Sequence, residues 1–440
     1  MDWLGWQEAP RASLAQWDAL VRFAADARRD GLTRTVVCGM GGASLAPRVL
    51  AASFGSAALT VLDSTDPAAV LAVARPEELA RTLFVISSKS GTTVETLAFY
   101  RYFAARAAPR QFVAITAAGT PLAELARARG FRAVFAHPAN VGGRYAALTV
   151  VGMLAAALIG ADGRTLLERA LRVDTAAARA FGARLAAAAA AGRDKLVLAP
   201  PAPLARLADW VEQLVAESSG KDGRGVVPVV DDPGGGRRDD VEEITEFADD
   251  PLDLGAEFLR WEYATWELCR RLGVNPFDQP DVEAAKAFAR AELAAGAAGA
   301  TEPAAPLATL SPAELRRAAR PGDYLAVLAY LPPTPEIAAR LQAVRAAWGR
   351  ALGCVTTLGF GPRYLHSTGQ LHKGGPNTGL FLMLTADPPD DVAIPETDLT
   401  FGRLERAQAR GDLRALLARG RRVAWVHLAR PDAAADLASL

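Results

Sequence analysis

From residue 85 to residue 96 the chain reads Val-Ile-Ser-Ser-Lys-Ser-Gly-Thr-Thr-Val-Glu-Thr. Two apolar residues that close a strand give way to hydroxyls, a lysine and a glycine. A helix then opens with Val-Glu-Thr-Leu-Ala-Phe-Tyr. A strand that stops in small polar residues and restarts as a helix leaves backbone N–H groups free at the helix N-terminus. There the helix dipole favours an anion. Ser88, Ser90, Thr93 and Thr96 add donors, Lys89 adds positive charge, and Gly91 lets the backbone approach closely. One Ser or Thr would suffice to cap the helix. This many, with a lysine, suit a phosphate.

Four further places carry chemistry. Gly39-Met-Gly-Gly-Ala-Ser lacks the GxGxxG spacing of a dinucleotide site, so it reads as a tight strand-to-helix turn, with Gly41, Gly42 and Ser44 as candidate ligand contacts. Arg144 follows Gly142-Gly143 and precedes a long apolar stretch. A cation at a helix start is unfavourable against the dipole unless an anion lies nearby. Glu217, in Gln213-Leu-Val-Ala-Glu-Ser-Ser-Gly-Lys221, is equally an ordinary helical glutamate before a C-capping glycine. Two of the four histidines, His366 and His372, lie in one glycine-rich loop, Arg363-Tyr-Leu-His-Ser-Thr-Gly-Gln-Leu-His-Lys-Gly-Gly375. Histidine titrates near neutrality and serves as a proton shuttle. His137 and His427, at strand ends, suit structural roles.

The elements that must position these residues alternate. Short apolar runs at Thr35–Cys38, Leu59–Leu62, Thr82–Ile86, Phe112–Ile115 and Ala133–Ala136 are separated by helical stretches, and a second series opens at Lys195–Ala199. Strand candidates continue at Tyr324–Leu328, Cys354–Gly359, Gly379–Leu384 and Val423–His427. Buried strands alternating with helices predict an α/β fold of two doubly wound parallel-sheet domains, residues 1–185 and 186–440. Ligands in such folds bind beyond the carboxyl ends of the strands, where the strand order reverses. The Gly39 and Ser87 loops both leave strands at that edge. Asp231–Asp240 reads as a flexible loop, and 291–312 as an Ala-, Glu-, Pro- and Thr-rich connector.

With 440 residues, half of them apolar, and zero formal net charge, the chain is long enough for two cores and carries no basic stretch suited to nucleic acid. Its three cysteines match no zinc or disulfide spacing. The start shows no signal-peptide pattern. The seventeen uncharged residues Tyr145–Ala161 are shorter than a membrane span and broken by Gly152 and Gly160, so they read as a buried core helix. The expectation is a cytoplasmic protein without metal or other cofactor, free of membrane and nucleic acid.

Ser-Lys-Ser-Gly-Thr-Thr-Val-Glu-Thr resembles the phosphate loop of glucose-6-phosphate isomerases and, more widely, of sugar isomerase (SIS) domains. The glycine loop resembles the family's sugar-binding loop, with Ala43 where a serine usually stands and Ser44 next. Gly-Gly-Arg144 is similar to the family's signature, which implies that this arginine stabilises an enediolate. Gln-Leu-x-x-Glu-Ser-x-Gly-Lys resembles the segment whose glutamate is the base, which implies that role for Glu217. Asn275-Pro-Phe-Asp-Gln-x-x-Val-Glu-x-x-Lys286 is similar to a further family segment and implies Lys286 as the lysine assisting ring opening; by itself it reads as a surface lysine. The family's Gly-Gln-His-Ala-Phe segment is missing between the glutamate and the Asn275–Gln279 segment. His366 and His372 instead follow Lys286, as in the shorter isomerases fused to transaldolase, which this chain resembles most over residues 30–390. Either histidine is the candidate for ring opening.

The resemblance therefore implies two SIS-type domains that interconvert glucose 6-phosphate and fructose 6-phosphate through a cis-enediolate, in glycolysis and gluconeogenesis. It implies a homodimer, with the histidine donated across the interface. A non-catalytic sugar-phosphate sensor would need the phosphate loop but not Glu217, Arg144 and Lys286 together. Mannose 6-phosphate as a further substrate stays compatible with the sequence.

Overall fold

The computed structural model describes residues 3–234, 238–297 and 307–433. Parts of the Asp231–Asp240 loop and of the 291–312 connector fall outside these residues. The first series of apolar runs forms one parallel sheet: β1 (Arg34–Gly39), β2 (Leu59–Leu62), β3 (Thr82–Ser87), β4 (Phe112–Thr116) and β5 (Ala133–Ala136), in the order β2-β1-β3-β4-β5. β1 and β3 are buried at every position, as strands covered by helices on both faces must be. The order reverses between β1 and β3, and Gly39 pairs with Ser87 at their shared carboxyl end. Both candidate loops therefore leave neighbouring strands at the switch point.

The second series divides. β6 (Lys195–Leu198), β7 (Val227–Val230) and β8 (Val241–Ile244) make a three-stranded parallel sheet in the order β7-β6-β8. β9 (Tyr324–Tyr330), β10 (Thr356–Phe360), β11 (Gly379–Ala386) and β12 (Arg422–Leu428) make a four-stranded one in the order β10-β9-β11-β12. A buried arginine bridges the seam. The buried Arg345 guanidinium donates from Nη2 to Val230 O on β7 (3.0 Å) and to Thr356 O on β10 (2.5 Å), taking carbonyls that a direct strand pair would use. β7 and β8 have no counterpart in the sequence reading. β7 contains Pro228, tolerated because the strand is at a sheet edge, and β8 reads Val-Glu-Glu-Ile, too polar to signal a strand.

The helix Pro280–Ala297 runs into the stretch read as a connector. Its support is tertiary. Glu292 is 2.8 Å from Arg410 and 2.6 Å from Arg414 of the helix Phe401–Ala418. The two helices approach closely because position 411 is glycine; a Cβ there would lie 2.6 Å from Ala289 N. Phe401 and Leu404 of the same helix pack into the core around Phe99 and Phe103, so this helix closes over the first sheet. Tyr145–Ala161 contains the buried helix Val150–Ile159, stopped by Gly160 in the left-handed conformation. No helix among the described residues is long and apolar enough to cross a membrane.

Candidate active site

A cavity of about 1040 Å³ lies where the Gly39 and Ser87 loops meet the later segments of the chain. Ser87, Ser88, Lys89, Ser90, Thr92 and Thr93 line it. β3 ends at Ser87 and the helix begins at Val94, running to Ala104, with six residues between them. Thr93, at its N-cap, makes no side-chain capping bond, so first-turn N–H groups are left for an anion. The hydroxyls hold the loop instead: Ser88 Oγ lies 2.8 Å from Thr93 Oγ1 and accepts from Gly91 N at 3.1 Å. Gly91 has φ +68°, and a Cβ would meet Thr120 at 2.8 Å, so this turn requires glycine. Lys89 Nζ donates to Val141 O at 2.6 Å and sits 4.1 Å from the Trp3 ring centroid. Burial pulls its ammonium down to about 8. His137 lines the cavity as well; burial lowers it to about 4, so it is neutral near pH 7.

The glycine loop is a junction. Gly41 has φ +55°, and a Cβ on it would lie 2.5 Å from His366 O, while one on Gly42 would lie 2.1 Å from Gly143 O. Only glycine lets the histidine loop and the Arg144 turn come this near. Gly41, Gly42 and Ala43 line the cavity. Ser44 does not: its fully buried hydroxyl turns back onto Gly41 O at 3.0 Å.

Arg144 sits in the short turn Gly143–Tyr145, ahead of the apolar helix rather than on its first residue. Its charge faces the C-terminal end of another helix, Leu207–Ser219. Nη1 donates to the Glu217 carbonyl (2.9 Å) and to Pro276 O (2.9 Å), and Nη2 to Glu217 Oε1 (3.0 Å) and Gln279 Oε1 (2.5 Å). A carboxylate in the last helical turn is unfavourable against the dipole. The guanidinium removes that penalty and also satisfies a carbonyl the helix leaves unpaired. Gln213, one turn earlier, donates to Glu217 Oε2 at 2.9 Å and to His366 O at 2.8 Å. Glu217 is thus held at both oxygens, with its side chain 12% exposed toward the cavity.

The two histidines separate. His366 lines the cavity, and its Nε2 lies 2.9 Å from Glu95 Oε1 of the same chain. His372 is 2% exposed among Tyr324, Tyr364 and Phe381, does not line the cavity, and is held neutral by burial. Its ring is a core residue because it points into the aromatic cluster over β9 and β11, where a charge is strongly disfavoured. Thr96 is also fully buried, in the first turn of its helix and off the cavity wall. Lys286 lines the cavity, half-exposed, with Nζ 2.8 Å from Glu283. Donation of the histidine across an interface is not required by this geometry, since one chain supplies both Glu95 and His366.

Glu95 stood in the phosphate-loop motif without an assigned role. Burial raises its carboxyl, but the charge and hydrogen bond of His366 outweigh this and leave it below the ordinary range. Its signal in the sequence was a lone acid one position into a helix that otherwise buries Thr96, Ala98 and Phe99. Gln213 and Gln279 were similarly visible only as members of quoted segments. Among the described residues no group of three or more His, Cys, Asp or Glu is placed to hold a metal ion.

Residues 25–225 match the family described as phosphoglucose isomerase. Over that span, a little under half of its length, the chain is similar to phosphoglucose isomerases. A probable glucose-6-phosphate isomerase of Haloquadratum walsbyi is 32% identical over 219 residues, 45% of this chain and 50% of its own length. The glucose-6-phosphate isomerase of Thermosynechococcus vestitus is 32% identical over 238 residues, 48% of this chain and 45% of its own. The chain spans about half the length of the curated relatives it matches. A crystal structure of a glucose-6-phosphate isomerase from Chlamydia trachomatis shares the fold, with a TM-score of 0.54 and 18% identity over 65% of this chain and 74% of that one. The phosphoglucose isomerase segment includes the phosphate loop, Arg144, Gln213 and Glu217. Lys286 and His366 lie beyond it, and the tertiary structure brings them to the same cavity.

Proposed function

We propose that the chain is an aldose–ketose isomerase interconverting glucose 6-phosphate and fructose 6-phosphate. The observation that carries this reading is Glu217 held at both carboxylate oxygens, by Arg144 and Gln213, across the same cavity from the phosphate loop and the Glu95–His366 pair. The Ser87–Thr96 segment would anchor the phosphate, with Ser88, Lys89, Ser90 and Thr93 as its polar face. His366 donates Nε2–H to Glu95, so its Nδ1 is the nitrogen that exchanges a proton with the ring oxygen and the anomeric hydroxyl. Lys286 assists that opening. Glu217 then takes the proton from C2 of the aldose, or C1 of the ketose, and returns it to the neighbouring carbon. The enediolate formed between these transfers carries negative charge on oxygen, which the Arg144 guanidinium stabilises. A positioned acid–base group contributes about 10²–10⁴-fold, and an oriented cation adds to it.

The division near residue 185 is supported by the gap between the first sheet, within residues 34–136, and the later strands, within 195–428. Three free, buried cysteines suit a reducing, cytoplasmic setting. If the chain pairs as a homodimer, each copy would hold its own His366. Fructose 6-phosphate turnover, coupled to glucose-6-phosphate dehydrogenase without added metal, tests the proposal with wild type and Glu217→Gln. Activity lost in the variant while sugar-phosphate binding persists supports the base. A wild type that binds but does not turn over sinks the enzyme reading in favour of a sensor.

A further inference from the structure

Gln408 belongs to the helix Phe401–Ala418, 313 residues from Glu95 in the sequence. Its buried side chain donates from Nε2 to Glu95 Oε1 at 2.7 Å and accepts at Oε1 from Thr65 Oγ1 at 3.0 Å. An ionised carboxylate only accepts, so Nε2 must face Glu95, and the fully buried Thr65 hydroxyl then donates to the Oε1 left on the other side. Glu95 Oε1 therefore receives two donors, Gln408 Nε2 and His366 Nε2. We propose that Gln408 is a positioning residue for the ring-opening step, setting the orientation and proton affinity of His366 through Glu95.

The physical argument concerns how one carboxylate shares its charge. A neutral amide donor stabilises the ionised form of Glu95 without competing for its proton. It also takes part of the oxygen's accepting capacity, so Glu95 pulls less strongly on the imidazole. Without Gln408 more of the charge would be met by His366, which favours imidazolium, and Glu95 itself would become more basic. Both effects have one sign: the pair holds its protons to higher pH. The other titratable groups around this chain of bonds are known. Lys286 acts on Glu95 from the cavity, Tyr330 lies within range of Glu95 from β9, and Glu405 shares the helix of Gln408. Asp66 follows Thr65; burial pushes it up to about 6 and Glu405 well above the carboxylate range. Asp412, one turn beyond Gln408, is taken up by Lys373 and Tyr364.

The step that Gln408 serves is named by the isomerase reading, but the test does not depend on that reading. With four histidines in the chain, side-chain NMR can follow His366 directly, its signal assigned by loss in His366→Asn. In Gln408→Leu the His366 midpoint should rise by about one pH unit, the size expected for one lost bond to a buried charge. The acid limb of kcat/KM for fructose 6-phosphate should move the same way. Thr65→Val, which frees the amide to turn, should give a smaller shift of the same sign. An unmoved midpoint in a folded Gln408→Leu overturns the proposal; should that variant not fold, an unmoved midpoint in Thr65→Val does so. A wild type without isomerase activity overturns the proposed function, and the His366 titration still decides the role of Gln408.

Discussion

Arg144→Lys separates the catalytic duty proposed for the guanidinium from its structural one. The arginine spans four acceptors: both the carbonyl and a carboxylate oxygen of Glu217, Pro276 O and Gln279 Oε1, at 2.5–3.0 Å. An ammonium keeps the charge but offers one nitrogen, not a planar fork, and cannot reach the helix end and the Asn275–Gln279 loop together. One or two charge-assisted bonds are lost, each contributing about 1.5–3 kcal/mol. Urea melts should show a destabilisation of that order. In the reaction the ammonium would lie off the position where enediolate charge develops, and loss of one aligned donor at such a site costs about 10²–10³ in kcat. The coupled assay should therefore show kcat reduced by that factor, with KM changed far less because phosphate binding is untouched. Gln279→Leu serves as the control, removing one acceptor while keeping the cation and losing little kcat. A variant that melts earlier but turns over at the wild-type rate would refute the role at the enediolate and leave Arg144 as a clamp between segments.

Three further outcomes follow from the same geometry. Lys89→Met should raise KM about ten- to hundredfold, one charge-assisted contact, with kcat nearly kept. Because burial holds the Lys89 ammonium near 8, it is charged below that pH and neutral above, so the wild-type KM should climb as pH rises through about 8 and the Met variant should lack that climb. His366→Asn should slow turnover of the cyclic sugar by about 10²–10⁴-fold, whereas His372→Phe, off the cavity, should leave kcat and its pH profile as they were; the reverse pattern would reassign the shuttle. Mixing Glu217→Gln with His366→Asn under conditions of subunit exchange should restore no activity, since one chain supplies both groups; recovery would mean that the histidine crosses between copies.

The sequence determined the local chemistry and its placement along the chain. The strand–loop–helix unit around Ser87–Thr96 was legible because its signal is local: a strand end, hydroxyls, Gly91 and a helix start follow one another along the chain. The parallel first sheet was legible for the same reason, since its strands are uninterrupted apolar runs. Arg144 carried a hint of its own, a cation at a helix start that asks for an anion, whereas Glu217 and Lys286 stood out by resemblance and by themselves read as ordinary helical residues. Only the tertiary structure decided between His366 and His372, because both lie in one loop and differ in what packs against them: a buried carboxylate for the first, an aromatic cluster for the second. It also moved Ser44 and Thr96 off the cavity wall, brought Glu95 into the site, and set Gln408 behind it. The partners Glu95, His366, Thr65 and Gln408 are separated by up to 343 residues, and a hydrogen bond between side chains that far apart leaves no periodicity in the chain. It exists because the helix Phe401–Ala418 folds back over the first sheet, and that contact is a property of packing.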